Sequence, residues 1–228
     1  MNVLTETAPD PTAFKQTARL AGLSYLGLAI SGVLGFLLIR SQLYVADDAV
    51  ETAANLVDNE GLARIGIAAE LAIVATQAMA ALYFFRLFRG VNSFAAGSLA
   101  AFGLMNSAII LTSAAFTATA LDAALDGAAD TALLLYDLSE AAWSVGGLFF
   151  GLWLIPMGWL AWRSNFMPRI LGWVLIASGI GYILSTYVTF LLPDATVLAD
   201  ILPLPATVGE FWMIGFLLWK GFGNRTSV

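Results

Sequence analysis

The sequence predicts an all-α fold: a polytopic membrane helix bundle with six transmembrane helices, both termini cytoplasmic, and short amphipathic helices in the external loops. Three observations carry that prediction. Apolar residues make up 60% of the chain and charged ones only 11%, with a mean hydropathy of +0.84; soluble domains hold nearer half and a quarter. The apolar residues fall into six runs of spanning length, about 20 residues each. Lys and Arg gather in alternate loops. The 228 residues leave no room for a soluble domain beside six spans, so 1–228 is read as a single membrane domain.

Residues 1–17, polar and carrying Pro9 and Pro11, read as a cytoplasmic tail. The first span follows at about 18–39; its length argues against a cleaved leader. Gly27, Ser31 and Gly35 recur every fourth residue in it, a stripe that lets a neighbouring helix approach. From Arg40 to Arg64 the chain is external. Asp47 and Asp48 offer a helix cap, Val50, Ala53 and Val57 share a face, and Asn59 with Gly61 supplies a stop, which predicts a short amphipathic helix on the outer surface. The second and third spans are expected at about 65–85 and 94–118. Residues 122–139 contain Asp122, Asp126, Asp130 and Asp137 around an apolar centre, and read either as another surface helix or as an outward extension of the fourth span. The remaining spans are placed at about 141–162, 170–192 and 202–219.

Orientation rests on counting basic residues by side. With the 163–169 turn in the cytoplasm, Lys15, Arg19, Arg86, Arg89, Arg163, Arg169, Lys220 and Arg225 lie inside, eight of the ten; only Arg40 and Arg64 lie outside. The rule counts Lys and Arg rather than net charge, so this split decides the topology. The external loops also hold twelve of the sixteen acids.

Composition removes several chemistries. There is no Cys and no His, hence no disulfide, thiolate nucleophile, imidazole base or Ser-His pair. Lys15 and Lys220 both sit at membrane edges, away from the depth a retinal Schiff base needs, and no Asp lies at membrane depth for aspartyl proteolysis. Asp122, Asp126 and Asp130 form a helical row that lacks the ligand-rich loop of a dedicated calcium site and reads as a solvated face. No catalytic residue, metal or cofactor is assigned.

Polar groups inside the spans are the candidates for function. Glu70 and Glu210 fall within apolar runs, roughly 8 and 12 Å below the outer surface at 1.5 Å per residue, where a carboxylate must face protein or water. Glu140 lies at the outer mouth of the fourth span. Gln77 is seven residues after Glu70; Asn106, Ser113 and Thr117 align in the third span; Ser178, Tyr182, Ser185 and Thr189 align in the fifth. Converging, these faces would line an outward-opening cup with Trp143, Trp212 and Tyr187 near its rim. The alternative is that Ser, Thr, Asn and Gln only tie helices together, at about 1 kcal/mol per hydrogen bond. In the Trp-rich fourth span Trp159 and Trp162 fit an interfacial belt, as does Trp173 beyond it, and Gly147 with Gly151 forms a close-packing face. Pro156 is a kink site, and Trp143 and Trp153 remain as candidate ligand contacts.

Three stretches, RLAGLSYLGLAISGV at Arg19–Val33, FFGLWLIPMGWLAWRSNFMPRILGWVL at Phe149–Leu175 and LPLPATVGEF at Leu202–Phe211, resemble the bacterial membrane family catalogued as domain of unknown function 4386. The R-S-x-F-x-P-R-x-L-G turn and the Gly-Glu of the last span carry most of the likeness, which extends over nearly the whole chain. The resemblance implies a multi-pass protein of the bacterial cytoplasmic (inner) membrane and supplies no activity. Members of that family often have His where this chain has Trp153, so a role for that imidazole does not transfer.

The expectation is therefore a non-enzymatic membrane protein that binds, or also transports, a small amphipathic or cationic molecule through an outward cup built from Glu70, Glu210, Glu140, Gln77, Asn106, Tyr182, Trp143 and Trp153. The alternative is a structural or interaction subunit of a membrane assembly with no ligand. A membrane-embedded enzyme is disfavoured by the missing His and Cys. Expected partners are membrane lipid and the small ligand, with oligomers open to the small-residue faces and no nucleic acid.

Overall fold

The computed structural model describes residues 11–222, so Pro9 of the expected tail and Arg225 of the expected cytoplasmic cluster lie outside the described residues. The first span is three pieces of one continuous rod: α1 (Pro11–Gly32), a π-helical segment (Val33–Ile39) and α2 (Arg40–Leu43). Then come α3 (Ala49–Asp58), α4 (Glu60–Phe88), α5 (Ser93–Leu125), α6 (Ala129–Arg163), α7 (Arg169–Leu191), α8 (Thr196–Ile201) and α9 (Leu204–Phe222). Among the described residues six segments are long and apolar enough to cross a membrane, and there is no strand.

The spans pack as a ring in the order α1, α4, α5, α6, α7, α9 and back to α1. Neighbours run antiparallel, so the ring has an α3 end and, opposite, an end holding the turn between α6 and α7. Small residues set the closest approaches. A Cβ on Gly27 would lie 2.9 Å from Thr76 Cγ2, and one on Gly35 3.1 Å from the Ala69 Cβ, which places the stripe of the first span against α4. Gly147 and Gly151 face α7, where a Cβ on Gly151 would meet the Gly179 carbonyl at 2.6 Å. Gly158 and Gly172 form a second such pair that the sequence pattern did not single out.

The half of the ring nearest the turn is solid. Phe84, Trp153, Met157, Leu171 and Met213 are fully buried there, and Phe166 of the turn tucks under the bundle, stacking on Phe88 with ring centroids 6.0 Å apart and meeting Phe14 edge-on. That contact explains why the first helix starts earlier than expected. Residues 11–17 wind onto α1, where Phe14 has an aromatic surface to cover.

The two longest helices settle the open question about residues 122–139. These residues close α5 and begin α6, so the fourth span is extended and no separate surface helix exists. At 1.5 Å per residue the 33 residues of α5 and 35 of α6 reach about 50 Å, against about 30 Å of hydrocarbon. The hairpin therefore overshoots by about 20 Å, turning at Gly127, whose φ of 78° is the left-handed conformation glycine tolerates. Ala132, Tyr136 and Ser139 face inward on the overshoot, while Asp130 and Asp137 point away from its core. α6 remains helical through Pro156.

The amphipathic helix is present as α3, with a different face and setting from those expected. Asp47 has a φ of 61°, Asp48 caps the helix by accepting the Glu51 N–H at 2.9 Å, and the helix lies across the overshooting ends of α5 and α6. Thr52 and Leu56 are buried against them, whereas Val50 and Val57 point outward. Thr52 wins the inner face because its hydroxyl hydrogen-bonds both the N–H and the carbonyl of Val45, closing the preceding loop. Asn59 ends α3 as expected, but Gly61 already belongs to α4. Asp48→Ala should cost about 1 kcal/mol of local stability, read as roughly fivefold faster hydrogen exchange across 49–58 with little change in α4; unchanged exchange would show that packing alone holds α3.

Candidate functional site

Towards the α3 end the ring is hollow. A cavity of about 460 Å³ lies between α1 with its π segment, α6, α7 and α9, and α4 contributes Ile73. Its size falls within the range of small-molecule sites. Most of the wall is apolar, from Leu28, Val33, Phe36, Phe150, Phe211 and Ile214, and a few polar groups converge on it: Tyr25, Ser144, Tyr182, Thr207, Glu140 and Glu210.

Glu210 comes from α9, six residues after its start, on the helix face that also buries Ala206 and Met213. Tyr25 donates its hydroxyl to Glu210 Oε1 at 2.5 Å. The tyrosine ring is fixed from below by edge-on contacts with Phe84 and Trp153, at 5.5 and 5.7 Å between centroids. The floor is thus an edge-on aromatic cluster whose one hydroxyl holds the deepest carboxyl of the cavity. On the opposite wall Trp143 stacks on Phe150, and Phe150 on Tyr182, with Phe36 tilted against Trp143 at 5.0 Å.

Beside the cavity lies a polar cluster organised by Arg40. Its Nε donates to Glu140 Oε2 at 3.0 Å, Nη1 to the Ser139 hydroxyl at 3.0 Å, and Nη2 to the Tyr136 carbonyl at 3.2 Å. Glu70 Oε1 lies 3.9 Å from Nη1, and Glu70 Oε2 accepts from Thr117 at 3.2 Å and Ser113 at 3.5 Å. Ser113 and Ser139 share a 2.7 Å hydrogen bond. The guanidinium is sandwiched by Phe36, Tyr44 and Tyr136, each ring centroid within 6 Å. The π segment matters here, since its wider turn shifts the register of everything after Gly32 and delivers Phe36 to the cavity and Arg40 into the bundle. Tyr44 also donates to Asp137 at 2.7 Å. Burial first, then that carboxylate, pushes the Tyr44 phenol up to about 12, so it stays a neutral donor at ordinary pH.

The expected site residues divide into three groups. Glu140, Glu210, Tyr182 and Trp143 line the cavity together. Glu70 does not; it borders a separate hollow of about 20 Å³ with Arg40 and Thr117, room for about one water. The indole N–H of Trp143 makes no hydrogen bond among the described residues. Gln77, Asn106 and Trp153 are fully buried and do not reach the cavity wall. Trp153 fills the space over Gly103, where a Cβ would lie 2.6 Å from its ring, which makes it core. The amides of Gln77 and Asn106 make no hydrogen bond among the described residues. Trp212 and Tyr187, expected at the rim, lie on the exposed outer face of the ring instead.

Sequence reasoning passed over Arg40 and Tyr25. Arg40 reads in the sequence as a loop cation, yet it is the basic residue closing an apolar run in the half that holds Glu70 and Glu140, and those two carboxylates call for a counter-ion. Tyr25 carried no signal beyond a lone hydroxyl at depth.

The fold and cavity together define a multi-pass, all-helical membrane protein with a partly polar internal chamber. The chain belongs to the family described as Domain of unknown function (DUF4386), whose profile matches residues 20–221. Neither a curated protein nor a solved structure matches the chain.

Proposed function

We propose that this protein binds a small amphipathic or cationic molecule in the chamber between α1, α6, α7 and α9, in a bacterial inner membrane with both termini cytoplasmic and the α3 end outside. The observation that carries the reading is the placement of Glu140 and Glu210 on the wall of one mostly apolar chamber. Only Glu140 of the two is matched by a cation, Arg40, and that cation is shared with Glu70; Glu210 is held by a neutral hydroxyl. Such a chamber favours an occupant that brings a positive charge or hydrogen-bond donors on an apolar body. The orientation rests on the distribution of Lys and Arg. The alternative, an assembly subunit whose polar faces only join helices, accounts for Ser113, Ser139 and Thr117 but gives no reason for a 460 Å³ chamber.

Native mass spectrometry of the detergent-purified protein tests this reading. The wild type is expected to retain an amine-bearing metabolite or lipid, and Glu210→Gln to lose at least tenfold of the occupancy at an unchanged melting temperature. Equal retention by both, or an empty wild type that no alkylammonium ion stabilises, would sink it.

A further inference from the structure

The chamber opens sideways as well as outward, and the opening constrains what can enter. α1 and α9 are pressed together near the turn end, where a Cβ on Gly22 would lie 3.0 Å from Leu218 and one on Gly221 2.6 Å from the Arg19 backbone. Farther towards the α3 end the two helices part. Val33 and Leu37 of the π segment and Phe211 of α9 line the chamber, yet they are 43%, 60% and 54% exposed, so each faces the chamber and the outside at once. These residues are the jambs of an opening. The neighbours that flank it on the ring's outer surface, Ile30, Leu34, Leu204 and Val208, are all apolar and exposed, which places the opening at hydrocarbon depth. Gly32 lies on the same edge, and a Cβ there would meet nothing within 4 Å.

Resting on the binding reading above, we propose that the occupant is a single-chain amphiphile with an amine head, which enters from the lipid phase between the π segment and α9. The head sits against Glu210 and Glu140, and the chain remains in the gap over Gly32, between Leu37 and Phe211. Charge selects the head, because among the described residues the chamber lining has two carboxyls and no Lys or Arg, Arg40 lying beside it against Glu140. Size selects a single chain. At about 460 Å³ the chamber is in the range of sites that house one drug-sized molecule, which two full acyl chains exceed.

The test uses the full chain in phospholipid nanodiscs and two probes: a dodecylamine carrying a photoreactive diazirine in mid-chain, and tetramethylammonium as a soluble competitor without a chain. Labelling is expected to saturate, to map to residues 28–37 and 207–214, and to be blocked by excess tetramethylammonium. Gly32→Trp, which fills the opening from a helical backbone position with free space around it, should reduce labelling at least tenfold without lowering the melting temperature. If tetramethylammonium stabilises the protein through Glu210 while the photoprobe labels only other surfaces, or labels Gly32→Trp as well as wild type, the lateral route is wrong and the chamber reading survives. If neither probe binds saturably, both fall. If Gly32→Trp proves unstable, Leu37→Trp, farther along the same edge, is read in the same way and decides the route.

Discussion

Replacing Arg40 with leucine is expected to destabilise the protein by about 3 kcal/mol, the lower end of the cost of breaking a buried ion pair by removing one partner. The size follows from what is left behind. Glu140, whose side chain is 44% exposed, can turn to water, and Ser139 keeps its bond to Ser113. Glu70 cannot escape: its side chain is only 9% exposed, and it would retain Thr117 and Ser113 but no cation. The double substitution Arg40→Leu with Glu70→Met removes the stranded carboxyl and should recover most of the loss, because an apolar pair of similar volume is often as stable as a buried salt bridge. Arg40→Lys keeps the charge without the planar fork that reaches Glu140, Ser139 and Tyr136 together, and should fall between. Thermal unfolding followed by circular dichroism in one detergent ranks the four proteins. A single Arg40→Leu within 1 kcal/mol of wild type would mean that the cluster does not hold the ring together.

The seam between α6 and α7 should be equally intolerant. A Cβ on Gly158 would stand 2.5 Å from the Gly172 carbonyl and 2.8 Å from the Ile176 nitrogen; the reciprocal Cβ on Gly172 would stand 2.6 Å from the Gly158 carbonyl. These obstacles are backbone, which cannot rotate away. Gly158→Val is therefore expected to force the helices apart and to cost about 3 kcal/mol or more, at the top of the range for overpacking. Gly97, on α5, is the control. Nothing lies within 4 Å of a Cβ there, so Gly97→Ala should be neutral or stabilise by up to about 1 kcal/mol through helix propensity. The comparison needs only melting temperatures; equal losses at the two sites would refute the close packing.

Much of the architecture was legible because the signals are local. Length and hydropathy depend on no partner, and among the described residues six helices are long and apolar enough to cross a membrane, α5 and α6 being longer than the runs alone suggest. The overshoot was ambiguous because Asp122, Asp126 and Asp130 fit a wet surface helix as well as the wet flank of a long one. Within the site, a residue's depth could be read from its position in a run, but not the direction in which its side chain points. Glu70, Glu140 and Glu210 do share one half of the bundle, yet Glu70 turns to Arg40 and away from the chamber. The π segment has no sequence signature that would have foretold it, and it sets the facing of both Phe36 and Arg40.

The ring depends on one helix for its closure, because α9 packs against both α7 and α1. Without α9 the wall carrying Thr207, Glu210 and Phe211 is missing, and Tyr25 loses the carboxyl it holds. The chamber is therefore a property of the closed ring, and loosening α9 from α1 or α7 would open it and part Tyr25 from Glu210 in the same movement.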